Sequence, residues 1–198
     1  MENDRIRLGV LKNHCVLMPD ADMDYASQAI VGAGYGAAGE RCMAISVVVA
    51  VGAGTADQLI EKLIPLVSNI KINAGDVNGT DMGPLVSQVH RSRVLQAVDK
   101  GVTEGARLVI DGRDYSHPNY PNGYFVGPCL FDNVTDDMSI YQQEVFGPVL
   151  VVVRVPTFDE AIEFVNRHQY GNGTAIFTRD GFAAREYDTT SASRYGRY

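Results

Sequence analysis

Among the residues of this chain that could do covalent chemistry, Cys42 has the most suggestive surroundings. It sits in Gly32–Ser46, which reads Gly-Ala-Gly-Tyr-Gly-Ala-Ala-Gly-Glu-Arg-Cys-Met-Ala-Ile-Ser. A thiolate attacks carbonyl carbon readily when backbone N–H groups or positive charge lie beside it and the substrate has room to approach. The glycines supply that room, and Glu40 and Arg41 come just before the sulfur. A free cysteine beside a valine-rich strand is more often a packed core residue. The glycine density tells against that reading here, because it weakens a packed helix.

Such a thiol must be held by regular structure on both sides. Upstream, Cys15–Met18 reads as a short strand. Pro19–Asp22 follows as a turn, with Asp20 available as a helix cap and Asp22 and Asp24 suited to the positive end. Met23, Ala26, Ala29, Ile30 and Ala33 recur at helical spacing. Downstream, Ile45–Val51 is an unbroken apolar strand, and Leu59, Ile60, Leu63, Leu66 and Val67 mark one face of a second helix. Further strands are expected at Ile70–Asn73, Ala106–Asp111, Tyr124–Phe131 (broken by Gly127-Pro128), Val149–Val153 and Thr174–Thr178. Helices are expected from Ser87 to about Gly101, with Val89, Val94, Leu95 and Val98 inward, after Thr157, and over Gly181–Tyr187. The alternation predicts an α/β domain with a mostly parallel sheet flanked by helices. Residues 188–198 turn polar and read as a frayed tail.

The chain has 198 residues, enough for one domain with a substantial core. Its net charge of −7 argues against nucleic acid or an anionic membrane as partner, while leaving room for a local basic pocket. No apolar run approaches the roughly 20 residues that span a bilayer, and the charged start Met-Glu-Asn-Asp-Arg lacks a signal core. Cys15, Cys42 and Cys129 are odd in number and far apart, as are the four histidines. That spacing fits neither a disulfide framework nor a metal site, and it points to a reducing, cytoplasmic setting. The histidines read as structural or exposed.

Several further stretches, in order, carry a resemblance. They are Lys12-Asn13-His14, Met18-Pro19-Asp20-Ala21-Asp22, Gly36–Ala44 around Cys42, Asn73-Ala74-Gly75-Asp76, Met82-Gly83-Pro84-Leu85, Glu144-Val145-Phe146-Gly147-Pro148-Val149 and Tyr170–Phe177. Together they resemble the aldehyde dehydrogenase superfamily, and within it the coenzyme A-acylating methylmalonate-semialdehyde group. The resemblance covers Leu8 to about Tyr187 and implies the catalytic-domain type of that fold over residues 1–187. It implies that Cys42 is the nucleophile toward a small-molecule aldehyde, that Glu144 holds the nicotinamide ribose of NAD, and that Phe146 packs on the nicotinamide. Read alone, Glu144 is a solvated loop residue and Phe146 a core residue. It implies no metal.

In many superfamily members a glutamate just before a Leu-Gly-Gly turn activates water against the thioester. Here the turn is Leu8-Gly9-Val10, and Arg7 stands where that glutamate would be. The resemblance accounts for the change: coenzyme A as acyl acceptor brings its own strong nucleophile and needs no activated water. The nucleotide-binding half of the family fold finds no match at the N-terminus, and the pattern stops near Asp188. The chain therefore reads as a truncated portion, one that forms a homo-oligomer or associates with a missing Rossmann half and is not competent alone. Two other readings stand beside it: an inactive binding or assembly module of the same fold, and a thiol esterase-like enzyme using Cys42 without hydride transfer.

Overall fold

A computed structural model describes residues 11–191. The Leu8-Gly9-Val10 turn and Arg7 lie outside the described residues. The chain order is β1 (Asn13–Leu17), α1 (Met23–Tyr35), a single 3-10 turn (Gly36–Gly39), β2 (Ile45–Val51), α2 (Thr55–Ser68), α3 (Gln88–Thr103), β3 (Arg107–Ile110), β4 (Cys129–Asp132), α4 (Ser139–Gln142), β5 (Val149–Val155), α5 (Phe158–Arg167), β6 (Thr174–Phe177) and α6 (Gly181–Thr190).

One six-stranded sheet runs in the order β3-β4-β5-β2-β1-β6. Every pairing is parallel except β3 with β4. The central strands are continuous valine-rich runs because both faces of a parallel sheet are covered. Val47, Val48 and Val49 of β2 pair with Val151, Val152 and Val153 of β5, and all six are buried. One deep charge is tied down: Asp132 on β4 is fully buried, and Arg154 on β5 donates to both of its oxygens at 2.9 Å. A third Arg154 bond, 2.7 Å to Asp57, carries the link to α2.

The expected strand Ile45–Val51 matches β2. Other expectations are corrected. Asp22 caps α1, accepting from the Tyr25 N–H at 3.1 Å, whereas Asp20 accepts from Thr178 and Arg179 after β6. Ile70–Asn73 forms only an isolated bridge, Ile72 with Met82. Of the expected pair across Tyr124–Phe131, only β4 is a strand, because Gly127-Pro128 breaks the ladder. Val89 faces out, 64% exposed, since Val94 and Val98 set the phase of the buried α3 face. Helix α6 continues to Thr190, so residues 188–190 are helical rather than frayed, and residues 192–198 lie outside the described residues.

Candidate active site

The Cys42 loop bridges the end of α1 and the start of β2. Three consecutive residues turn left-handed: Ala37 (φ 53°), Ala38 (φ 54°) and Gly39 (φ 71°). Two alanines in that region cost roughly 1–2 kcal/mol each, so the surroundings must hold them there. Gly39 is the tightest point. A Cβ built on it would lie 2.1 Å from the Gly147 carbonyl oxygen, so only glycine lets the two backbones meet. This contact joins the loop carrying the thiol to the loop carrying Glu144 and Phe146.

Beyond Gly39 the chain is fixed by side chains. Arg41 folds back and donates to the carbonyls of Gly32 (3.1 Å) and Ala33 (2.8 Å) in the last turn of α1. Cations are favoured at that negative end. Its guanidinium thus serves the helix rather than lending its charge to the thiol that follows it in sequence. The Cys42 carbonyl accepts two amides, from Asn13 at 2.8 Å and Asn172 at 2.9 Å. Asn13 also donates to Ala44 (2.8 Å) and accepts from the Gly173 N–H (2.8 Å). The Cys42 side of the loop is therefore clamped between β1 and the β6 approach while Cys42 itself stays exposed.

A second link between the two loops comes from α3. The His90 Nε2 lies against the Phe146 carbonyl oxygen and 3.2 Å from Glu40 Oε1. Glu40 in turn accepts from the Val86 N–H at 3.3 Å. The His90 and Phe146 rings meet edge-on, 6.3 Å between centroids. From sequence alone His90 reads as structural or exposed. Only the fold reveals that it bridges Glu40 and Phe146, because 56 residues separate it from Phe146.

Glu144 and Phe146 are each half-buried. Burial raises the Glu144 carboxyl above its ordinary range, opposed by the Leu11 N–H and by the charges of Lys12 and His90. Lys12 is buried, donating to the carbonyls of Ile140 (2.8 Å) and Gln143 (2.9 Å). Loss of water brings it down to about 7 despite the nearby Glu144. Behind it the His14 ring, against Tyr141 and His168, is driven down to about 3 by burial and stays neutral. A cleft of about 120 Å³ opens here, bordered by Lys12, His14, His168, Asn172 and Thr174. Among the described residues no group of three or more His, Cys, Asp or Glu could hold a metal.

The family model of the aldehyde dehydrogenase family matches residues 7–194. The chain belongs to the aldehyde dehydrogenase family. The malonate-semialdehyde dehydrogenase of Pseudomonas aeruginosa is 57% identical over 178 residues, 90% of this family member and 36% of that protein. An NAD complex from Sinorhizobium meliloti, provisionally named a methylmalonate-semialdehyde dehydrogenase, superposes with a TM-score of 0.91 at 52% identity, covering 92% of this chain and 37% of that one. The Oceanimonas doudoroffii methylmalonate-semialdehyde dehydrogenase gives 0.90 at 46% identity, covering 92% and 38%. This aldehyde dehydrogenase family chain thus spans a little over a third of the length of these relatives.

The fold expected from the alternation of elements, a mostly parallel sheet flanked by helices, is the one shared with those structures. No helix among the described residues is long and apolar enough to cross a membrane.

Proposed function

We propose that this chain is the catalytic-domain portion of an NAD-dependent, coenzyme A-acylating dehydrogenase of malonate or methylmalonate semialdehyde, with Cys42 as nucleophile. One observation carries the reading. The exposed thiol rides on a loop whose backbone is wedged, Gly39 on Gly147, against the Glu144–Phe146 loop. Similarity to the Pseudomonas aeruginosa and Sinorhizobium meliloti proteins supports the substrate class and NAD. Residues 1–187 form that portion in this reading, and it works with a nucleotide-binding portion or further copies of the chain. Three free thiols fit a reducing, cytoplasmic setting.

The residues present fit NAD in kind. Glu144 is a half-buried carboxylate able to accept ribose hydroxyls, and Phe146 offers a half-exposed ring for a flat partner. Bound NAD would supply the hydride acceptor. The chain's own part begins with the Cys42 thiolate, which adds to the aldehyde carbon and leaves an oxyanion. The Asn13 and Asn172 amides are already engaged by the Cys42 carbonyl, so they fix the sulfur's base and leave the oxyanion to backbone N–H groups and to donors from the rest of the fold. Loss of hydride from the adduct carbon gives a thioester on Cys42. A second thiol then attacks the thioester carbonyl, the new C–S bond forms, and the Cys42 thiolate leaves. Coenzyme A is that thiol in this reading, consistent with Arg7 standing where water-activating members carry glutamate.

Acyl transfer can be followed without hydride transfer. The chain is incubated with an activated acyl ester and the adduct mapped by mass spectrometry, then coenzyme A is added. The expected result is acylation of Cys42, absent in Cys42→Ala, and discharge onto coenzyme A. Acylation of Cys15 or Cys129 instead, or none at all, overturns the proposal. Rapid discharge to water with no effect of coenzyme A favours the esterase-like reading, which needs only the exposed thiol.

A further inference from the structure

A second cleft, of about 470 Å³, opens between the first turn of α3 and the irregular excursion that precedes β4. The reaction above makes no use of it. Gln88 and Arg91 line it from a face of α3 different from the one that carries His90 and Val94 to the active-site loops. Tyr115, His117, Tyr124 and Phe125 line it from the other side.

Two donors line it, with no acid among the lining residues. Arg91 is half-buried and donates from Nε to the Phe125 carbonyl at 2.9 Å, and among the described residues neither terminal guanidinium nitrogen has a protein partner. That edge is the fork that grips phosphate oxygens in pairs. His117 is 4% exposed, stacked on the Phe125 ring at 4.9 Å with Tyr120 beside it at 5.0 Å. Its Nδ1 accepts from the Asn119 N–H at 3.2 Å, so Nε2 carries the proton and is a donor. No fully buried side-chain nitrogen among the described residues lacks a partner. Nε2 has none among the described residues, so it is not fully buried, and His117 lines the cleft. Phe125 therefore seats both donors, one on its carbonyl and one on its ring.

The positive end of α3, a 16-residue helix capped by Ser87, adds to the same side. In a chain of net charge −7, an acid-free cleft holding an unpaired cation and a sequestered donor runs against the general surface. We propose that this cleft is a binding site for a phosphomonoester, its oxygens accepting from the Arg91 fork and from His117 Nε2. The source is free phosphate or the 3′-phosphate of coenzyme A. The coenzyme A source rests on the acyl-transfer reading above, and the anion site does not.

The test is calorimetric titration of the 198-residue chain with inorganic phosphate, coenzyme A and dephospho-coenzyme A. Wild type, Arg91→Gln and the exposed-surface control Arg93→Gln are compared. Phosphate is expected to bind wild type and Arg93→Gln alike, and Arg91→Gln about tenfold or more weakly, the scale of one lost charge-assisted contact. Coenzyme A is expected to bind better than dephospho-coenzyme A by a similar factor, and that gap to close in Arg91→Gln. Far-UV circular dichroism and melting without ligand verify that Arg91→Gln is folded; if it is not, Arg91→Lys, which keeps the charge and loses the fork, is read by the same criterion. Equal phosphate affinity in wild type and the Arg91 variant, an equal loss in Arg93→Gln, or no phosphate binding at millimolar concentration overturns the site. Phosphate binding that depends on Arg91, with no preference for coenzyme A over its dephospho form, leaves the site and removes coenzyme A as the source. None of these readouts requires turnover, so they stand apart from the dehydrogenase reading.

Discussion

Cys15 and Cys129 lie within the sheet, and Cys42 lies outside it. The first two occupy β1 and β4 with no exposed surface, and burial pushes their thiols up to about 12 and about 11. They behave as small apolar side chains; the Cys129 sulfur makes only weak backbone contacts, accepting from the Gly112 N–H at 3.4 Å and donating to the Gly127 carbonyl at 3.8 Å. Cys42 is exposed on a loop made of left-handed backbone, two clamping amides and a bridging histidine. The sheet spends no strained residue on its thiols, whereas the loop places three consecutive residues at positive φ before its own. Three consecutive positive-φ residues ahead of Cys42, with none inside β1 or β4, single out its loop as the candidate site.

The contrast can be broken most severely at Gly39. Gly39→Ala adds a Cβ where the Gly147 carbonyl leaves no room, at a φ of 71°. It is expected to destabilise by about 3 kcal/mol or more from overpacking plus left-handed strain. Urea unfolding measures the loss, and alkylation should show Cys42 altered before Cys15 or Cys129. An unchanged unfolding midpoint would falsify the wedge.

Alkylation of the wild type at pH 8 sharpens the comparison directly. A thiol near 12 is ionised to roughly one part in ten thousand at that pH. Cys42 is expected to label on the order of 100-fold faster than Cys15 or Cys129, since those two are buried and hold their protons. Comparable labelling at all three positions, read by peptide mapping, would erase the distinction.

Next comes His90→Ala, which removes the bridge between Glu40 and the Phe146 carbonyl. A loss of about 1–2 kcal/mol is expected, since two acceptors lose a shared donor. Faster amide exchange confined to residues near 40 and 146 is the accompanying signature. Exchange spread evenly over the sheet would mean that His90 matters only to the core.

The remaining effect is read across pH. Lys12 falls to about 7 in the fold from an ordinary value near 10.5. Between those values the unfolded chain holds a proton that the folded chain has released, so this group's contribution to stability rises with pH across the window and is lost as pH falls toward 7. Lys12→Met is expected to flatten the stability profile between pH 7 and 10. Parallel profiles for the two proteins would show that Lys12 titrates as an ordinary lysine.

The sheet was readable because a two-faced valine run allows few alternatives, and β2 fell on Ile45–Val51 as expected. Cys42 and the Glu144–Phe146 loop were legible as motifs, yet their juxtaposition was not. It depends on a glycine-to-glycine contact across 108 residues, 39 to 147, that no local pattern encodes. Asp20 shows the same limit at smaller scale: a plausible cap in sequence, it is taken by Thr178 and Arg179 from the far end of the chain. Lys12, Asn13 and His14 were visible as a family signature. Their separate tasks, a buried amine, a loop clamp and a neutral core ring, appear only when the partners are seen. The cleft donors Arg91 and His117 left no sequence signal beyond an arginine and a histidine 26 positions apart.

The paired grip on the Cys42 carbonyl limits how the sulfur can travel. With its peptide plane pinned from β1 on one side and from the β6 approach on the other, rotation about the Cα–Cβ bond is the freedom that remains, and it has three staggered stops. A carbon-13 label on that Cβ would therefore report rotation or modification of the thiol with little contribution from movement of the clamped backbone.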